Sequence, residues 1–144
     1  MRTLRWSWLF GLVGLLCGCG GDPEVCLPAL PEDCNLLFEP SYDVLYKQFF
    51  SKTCNEAGCH DTKTAQAGLS FADHDEAYKL LLGDGPDGRA RVLPGNPECS
   101  LLMRRLESSD PQFRMPPGGG ALPGARCAVQ QWIAKGALPP KKGL

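Results

Sequence analysis

No stretch of this sequence alternates apolar and polar residues for long enough to build a sheet core, and no internal repeat is visible. Histidine is scarce, with only His60 and His74. There is no basic stripe: Arg104-Arg105 and Lys141-Lys142 are short pairs that solvate a surface, which argues against a nucleic-acid partner. No apolar run reaches the roughly 20 residues that a membrane-spanning helix needs. What the chain does have is Gly (17), Pro (13) and 43% hydrophobic residues in 144 positions. That balance predicts one small, mostly α domain whose short helices are joined by long Pro/Gly-rich loops.

The N-terminus reads as a targeting segment. Arg2 and Arg5 precede the apolar run Trp6 to Leu16, and Leu16-Cys17-Gly18-Cys19 follows. This resembles a bacterial lipobox, which implies cleavage before Cys19, lipidation of Cys19, and loss of residues 1–18. The alternative is an ordinary secretory signal cleaved nearby. Either way the chain is exported, and by the lipobox resemblance it sits in the cell envelope, periplasm-facing or on the outer membrane, held by acyl chains that do not span the bilayer. Loss of Arg2 and Arg5 would lower the 15 basic residues to 13 against 16 acidic ones.

Residues 19–40 are rich in Pro, Gly and acid and read as a tether; 41–138 form the domain, and 139–144 a basic tail. Four amphipathic segments are legible. Tyr42, Leu45, Tyr46, Phe49 and Phe50 make one stripe of a helix from Ser41 to about Thr53. A second helix starts at Asp73, with Glu76 at capping-box spacing. Gly95-Asn96-Pro97 cues a third, with Cys99, Leu102, Met103 and Leu106 inward. The last runs from near Gly124 to Gly136, with Val129, Trp132 and Ile133 inside.

Export permits disulfides. Setting Cys54 and Cys59 aside leaves Cys26, Cys34, Cys99 and Cys127 for three possible pairings. The spacing suggests a local Cys26–Cys34 loop and a Cys99–Cys127 bridge between the last two helices.

The chemistry centres on Cys54-Asn-Glu-Ala-Gly-Cys59-His60. Covalent haem attachment normally uses C-x-x-C-H, with two thiols for the vinyl groups and the adjacent His on iron. Here four residues intervene, and a regular helix would leave the two sulfurs about 140° apart round its axis. The insertion must bulge outward, and Gly58 can adopt the conformation that a bulge needs. On these residues alone, haem, zinc and a disulfide loop remain open. Zinc would have to assemble further ligands from cysteines distant in sequence. The remaining candidates for an axial ligand are His74, which reads as a solvated residue at a helix start, Met103, which reads as core, and Met115. Pro116 and Pro117 stiffen the loop that carries Met115, and Gly118 to Gly120 let backbone lie close to a flat group. Gly83 to Gly88 lacks the ligand set of a calcium loop and reads as a turn.

The motifs also stand in a recognisable order. The aromatic helix and Cys-x4-Cys-His are followed by Ala67-Gly-Leu-Ser-Phe71, a Tyr78-Lys-Leu-Leu helix and Val92-Leu-Pro-Gly-Asn-Pro-Glu-Cys-Ser-Leu-Leu102. Arg105-Leu106, Met115-Pro-Pro117 and Trp132-Ile-Ala-Lys-Gly-Ala137 complete the series. Over residues of about 42 to 138 this resembles the planctomycete-type cytochrome c domain. The resemblance implies a few helices wrapped round one covalent haem c. It also implies thioethers at Cys54 and Cys59, His60 and Met115 as axial ligands, and single-electron transfer, not enzymatic turnover. The x4 spacing departs from the family's pattern. The expected product is a monomeric cytochrome on a lipid anchor with unidentified redox partners. The alternatives are a haem-free, disulfide-stabilised binding module and a catalytic haem with an open distal face.

Overall fold

A computed structural model describes residues 26–141. The expected signal segment 1–18, the expected lipidation position Cys19, the start of the expected tether and the last three residues lie outside the described residues. The architecture is mostly α, with four α-helices, a π-helical segment, a short 3-10 turn and no strand among the described residues. The α-helices are α1 (Tyr42–Leu45), α2 (His74–Leu82), α3 (Leu101–Glu107) and α4 (Pro123–Ala134). No helix among the described residues is long and apolar enough to cross a membrane.

The aromatic stripe does form one helical rod, but α1 accounts for a single turn of it. Tyr46–Cys54 continues the rod as a π-helix, and Asn55 N–H closes it on Phe50 O, five residues back, at 3.2 Å. Tyr42, Leu45, Phe49 and Phe50 are all buried. Tyr42 is the hub, with ring centroids 5.0 Å from Tyr78 and 5.7 Å from Trp132. Its hydroxyl donates to His74 O at 2.6 Å, which fixes α2 against α1. Asp73 caps α2 as its spacing predicts, accepting the Glu76 N–H at 2.8 Å.

The third helix begins later than its cue. Asn96 Oδ1 accepts the Cys99 N–H at 3.2 Å, and Ser100 N–H bonds to Pro97 O at 3.1 Å, so residues 97–100 form a turn. Ser100 is extended (ψ 126°) and fully buried, its hydroxyl donating to Asn96 O and accepting from Leu93 N–H. Only then does α3 start, at Leu101. In α4, Val129, Trp132 and Ile133 face the core as expected, and Gly136 ends the helix at φ +93°.

Both disulfide pairings differ from the sequence expectation. Cys26 pairs with Cys99 and Cys34 with Cys127, in place of Cys26–Cys34 and Cys99–Cys127. The cause is the path of residues 26–40. This segment, expected to belong to the tether, is a strap laid along α4. Leu27 N–H bonds to Glu98 O, and Leu37 N–H to Gly124 O, each at 3.0 Å. Gln130 and Gln131 of α4 donate to Pro31 O and Glu32 O. Leu27, Leu30 and Phe38 pack on the core. A strap held in this way brings each of its cysteines to a partner on the domain, with Cα–Cα distances of 4.4 and 5.8 Å.

Candidate functional site

With four cysteines committed to disulfides, Cys54 and Cys59 are the free thiols among the described residues. Cys54 ends the π-helical segment. Between it and Cys59 the chain makes an exposed turn over Glu56–Gly58, in which Gly58 takes φ +82° and Cys59 N–H bonds to Glu56 O at 3.0 Å. The insertion therefore bulges into solvent, and the loop closes behind it where His60 N–H meets Cys54 O at 3.2 Å. Asp61 fastens the far side by accepting the N–H groups of Gly58, Lys63 and Thr64. The hydrogen bond from Thr64, followed by others from the same loop, holds its carboxyl below the ordinary range.

His60 is positioned by Leu69 and Phe71, which the sequence reading quoted in a motif without giving them a role. Its Nδ1 lies 3.1 Å from Leu69 O, and its ring stands edge-on to Phe71 at 5.8 Å. A carbonyl only accepts, so Nδ1 carries the proton and Nε2 keeps its lone pair. Phe71 N–H also bonds to His60 O, and Phe71 stacks on Phe50 of the π-helical segment at 5.0 Å. The Leu69–Phe71 strand of loop thus links the histidine to the aromatic core.

Met115 stands on the loop that follows α3. Its N–H bonds to Arg105 O at 2.9 Å, which ties the Met-Pro-Pro loop to α3, and the Met115–Pro116 peptide is cis. Arg114 donates to Gly118 O across the glycine run. Met103 is fully buried in the core, and His74 lies between Asp43 and Asp75, at 3.0 and 2.7 Å.

Cys54, Cys59, His60 and Met115 all line one cavity of about 440 Å³. Its wall is otherwise mainly apolar, including Phe49, Leu69, Phe71, Leu81, Leu102 and Leu106. That size and lining are those of a cofactor site. Burial, and then the neighbouring Cys59 sulfur, push the Cys54 thiol up to about 12, so this side chain is kept neutral. The donor set suits a haem: two free thiols, a histidine whose Nδ1 is engaged by a carbonyl, and a thioether on the same cavity wall. Among the described residues, no group of three or more His, Cys, Asp or Glu side chains is placed to hold a metal ion by itself.

Residues 57–119 match a family model described as Planctomycete cytochrome C. The matched stretch contains Cys59, His60 and Met115, whereas Cys54 lies three residues before it. No curated protein and no solved structure gives a significant match to the chain.

Proposed function

Because residues 57–119 make this a planctomycete-type cytochrome c domain, we propose that the chain is a monohaem c-type cytochrome that carries single electrons in the cell envelope. The observation that carries the reading is the convergence of Cys54, Cys59, His60 and Met115 on one apolar cavity. Cys54 and Cys59 would hold the macrocycle through thioethers, and His60 and Met115 would be the side chains offered to its iron. Haem c bound there supplies a one-electron iron couple, whose potential thioether–imidazole ligation raises. The residues of this chain supply the rest. The Leu69 carbonyl orients the His60 ring, α3 holds the Met115 loop, and the mainly apolar wall suits the face of a macrocycle.

Export and lipidation at Cys19 complete the proposal. They rest on the Arg-flanked apolar segment and the Leu-Cys-Gly-Cys sequence. The cytochrome would then work at a membrane surface with redox proteins as partners, as a carrier and not an enzyme.

Expression of the full chain in a host with c-type maturation machinery tests this. A pyridine haemochrome spectrum and intact mass should show one haem added to two thiols. A colourless protein whose mass reveals a third disulfide, Cys54–Cys59, would instead support the haem-free module.

A further inference from the structure

Two arginines interrupt the apolar wall of the cavity, Arg91 and Arg105. Both are half-buried, and main-chain carbonyls hold them in place. Arg91 donates to Leu80 O at 2.9 Å and to Ala67 O at 2.8 Å. Arg105 donates to Phe113 O at 3.2 Å and lies 4.2 Å from the Phe113 ring centroid. They share one side of the site, since Leu102 N–H of α3 bonds to Arg91 O and Arg105 follows a turn later on that helix.

Among the described residues neither forms an ion pair. The ion pairs among the described residues are His74 with Asp43 and Asp75, Lys79–Glu76, Arg89–Asp87 and Arg126–Glu107. No Asp or Glu lines the cavity. A guanidinium taken partly out of water without an anion is costly unless a ligand brings one. Burial lowers the Arg91 pKa, while Asp84 and Asp87 act on it through space in the other direction. Each guanidinium spends only one or two of its five N–H donors on carbonyls, so a fork remains for a carboxylate.

We infer that Arg91 and Arg105 are the anion-binding pair of the cavity and hold the two carboxylate arms of the bound haem. The inference rests on the cytochrome reading above. The pair places two fixed positive charges beside the group and orients it, so that the rest of the macrocycle meets the apolar wall. Loss of one charge leaves a carboxylate uncompensated near the iron, which favours the ferric state and lowers the midpoint potential.

The test uses the haem-loaded full chain in spectroelectrochemical titrations of the wild type, Arg91→Gln, Arg105→Gln, the double variant, and the Lys replacements. The midpoint potential should fall in each Gln variant and further in the double variant, with the Lys variants recovering much of the loss. Potentials in the Gln variants equal to the wild type would overturn the inference while leaving the cytochrome reading intact. Wild-type protein without covalent haem would overturn both. A reading that needs no variant comes from the wild-type potential between about pH 4.5 and 6.5, where a free carboxyl would titrate. Carboxylates held by two guanidiniums give a flat profile there. A proton-coupled step in that window would also overturn the pairing, since the cavity wall contributes no Asp or Glu and His74 lies outside it.

Discussion

The Gly124 carbonyl accepts the Leu37 N–H at 3.0 Å, and a Cβ on Gly124 would stand 2.9 Å from Leu37 Cβ and 3.0 Å from Asn35 O. The strap therefore crosses α4 at a position where only glycine fits. Gly124→Ala should push the strap away and cost about 1–3 kcal/mol, the usual range for overpacking against backbone. Thermal unfolding of the variant measures this. A melting temperature equal to the wild type would show that the strap does not lie on α4 in solution.

The strap also fixes the disulfide map. Peptide mapping of the non-reduced protein should recover Cys26–Cys99 and Cys34–Cys127. These bonds close separations of 73 and 93 residues, so each should contribute about 2–5 kcal/mol by restricting the unfolded chain. Replacing one pair by serine should lower stability by an amount in that range. A Cys26–Cys34 peptide would mean that the strap is free of the domain.

The same segment shows where the sequence was readable and where it was not. The aromatic stripe, the Asp73 cap and the inner face of α4 are local patterns, set by residues three or four apart, and the structure contains all three. The outward bulge at Gly58 was legible too, because two cysteines five positions apart cannot both stay on one side of a regular helix. Disulfide partners depend on packing between segments distant in sequence, and Leu27, Leu30 and Phe38 are too sparsely spaced to announce a buried face. The helix cue at Asn96-Pro97 was a real turn, which buried Ser100 ended before α3 could start. Arg105 read as half of a surface pair with Arg104 and Arg91 was not singled out, because sequence does not show which arginines lack a counter-ion.

The three tyrosines carry a pH dependence that lies away from the cofactor site. Burial, first among several causes for Tyr42 and Tyr46, raises the pKa of Tyr42, Tyr46 and Tyr78, most strongly for Tyr42. The fold thus favours the neutral phenols. Their contribution is fully present below the unfolded tyrosine value of about 10 and is lost as pH rises above it. Ultraviolet titration should show phenolate appearing together with loss of helical circular dichroism at alkaline pH. Phenolate formation centred at about 10 in protein that stays folded would contradict the buried hydrogen bond from Tyr42 to His74 O.

The two methionines of the domain, Met103 in the core and Met115 on the cavity wall, separate ligand from core. Met103 is fully buried, and its packing neighbours should accept leucine, so Met103→Leu should cost less than about 1.5 kcal/mol and leave the visible spectrum of haem-loaded protein unchanged. Met115 is half-buried on the cavity wall, held only through its N–H to Arg105 O, so its side chain contributes little to the core. Met115→Ala should therefore leave the melting curve of haem-free protein nearly unchanged. In haem-loaded protein the same change should alter the visible spectrum and lower the midpoint potential, because thioether ligation is what raises it. An unaltered spectrum in Met115→Ala would exclude this thioether as the axial ligand and favour an open distal face, the arrangement that a catalytic haem needs.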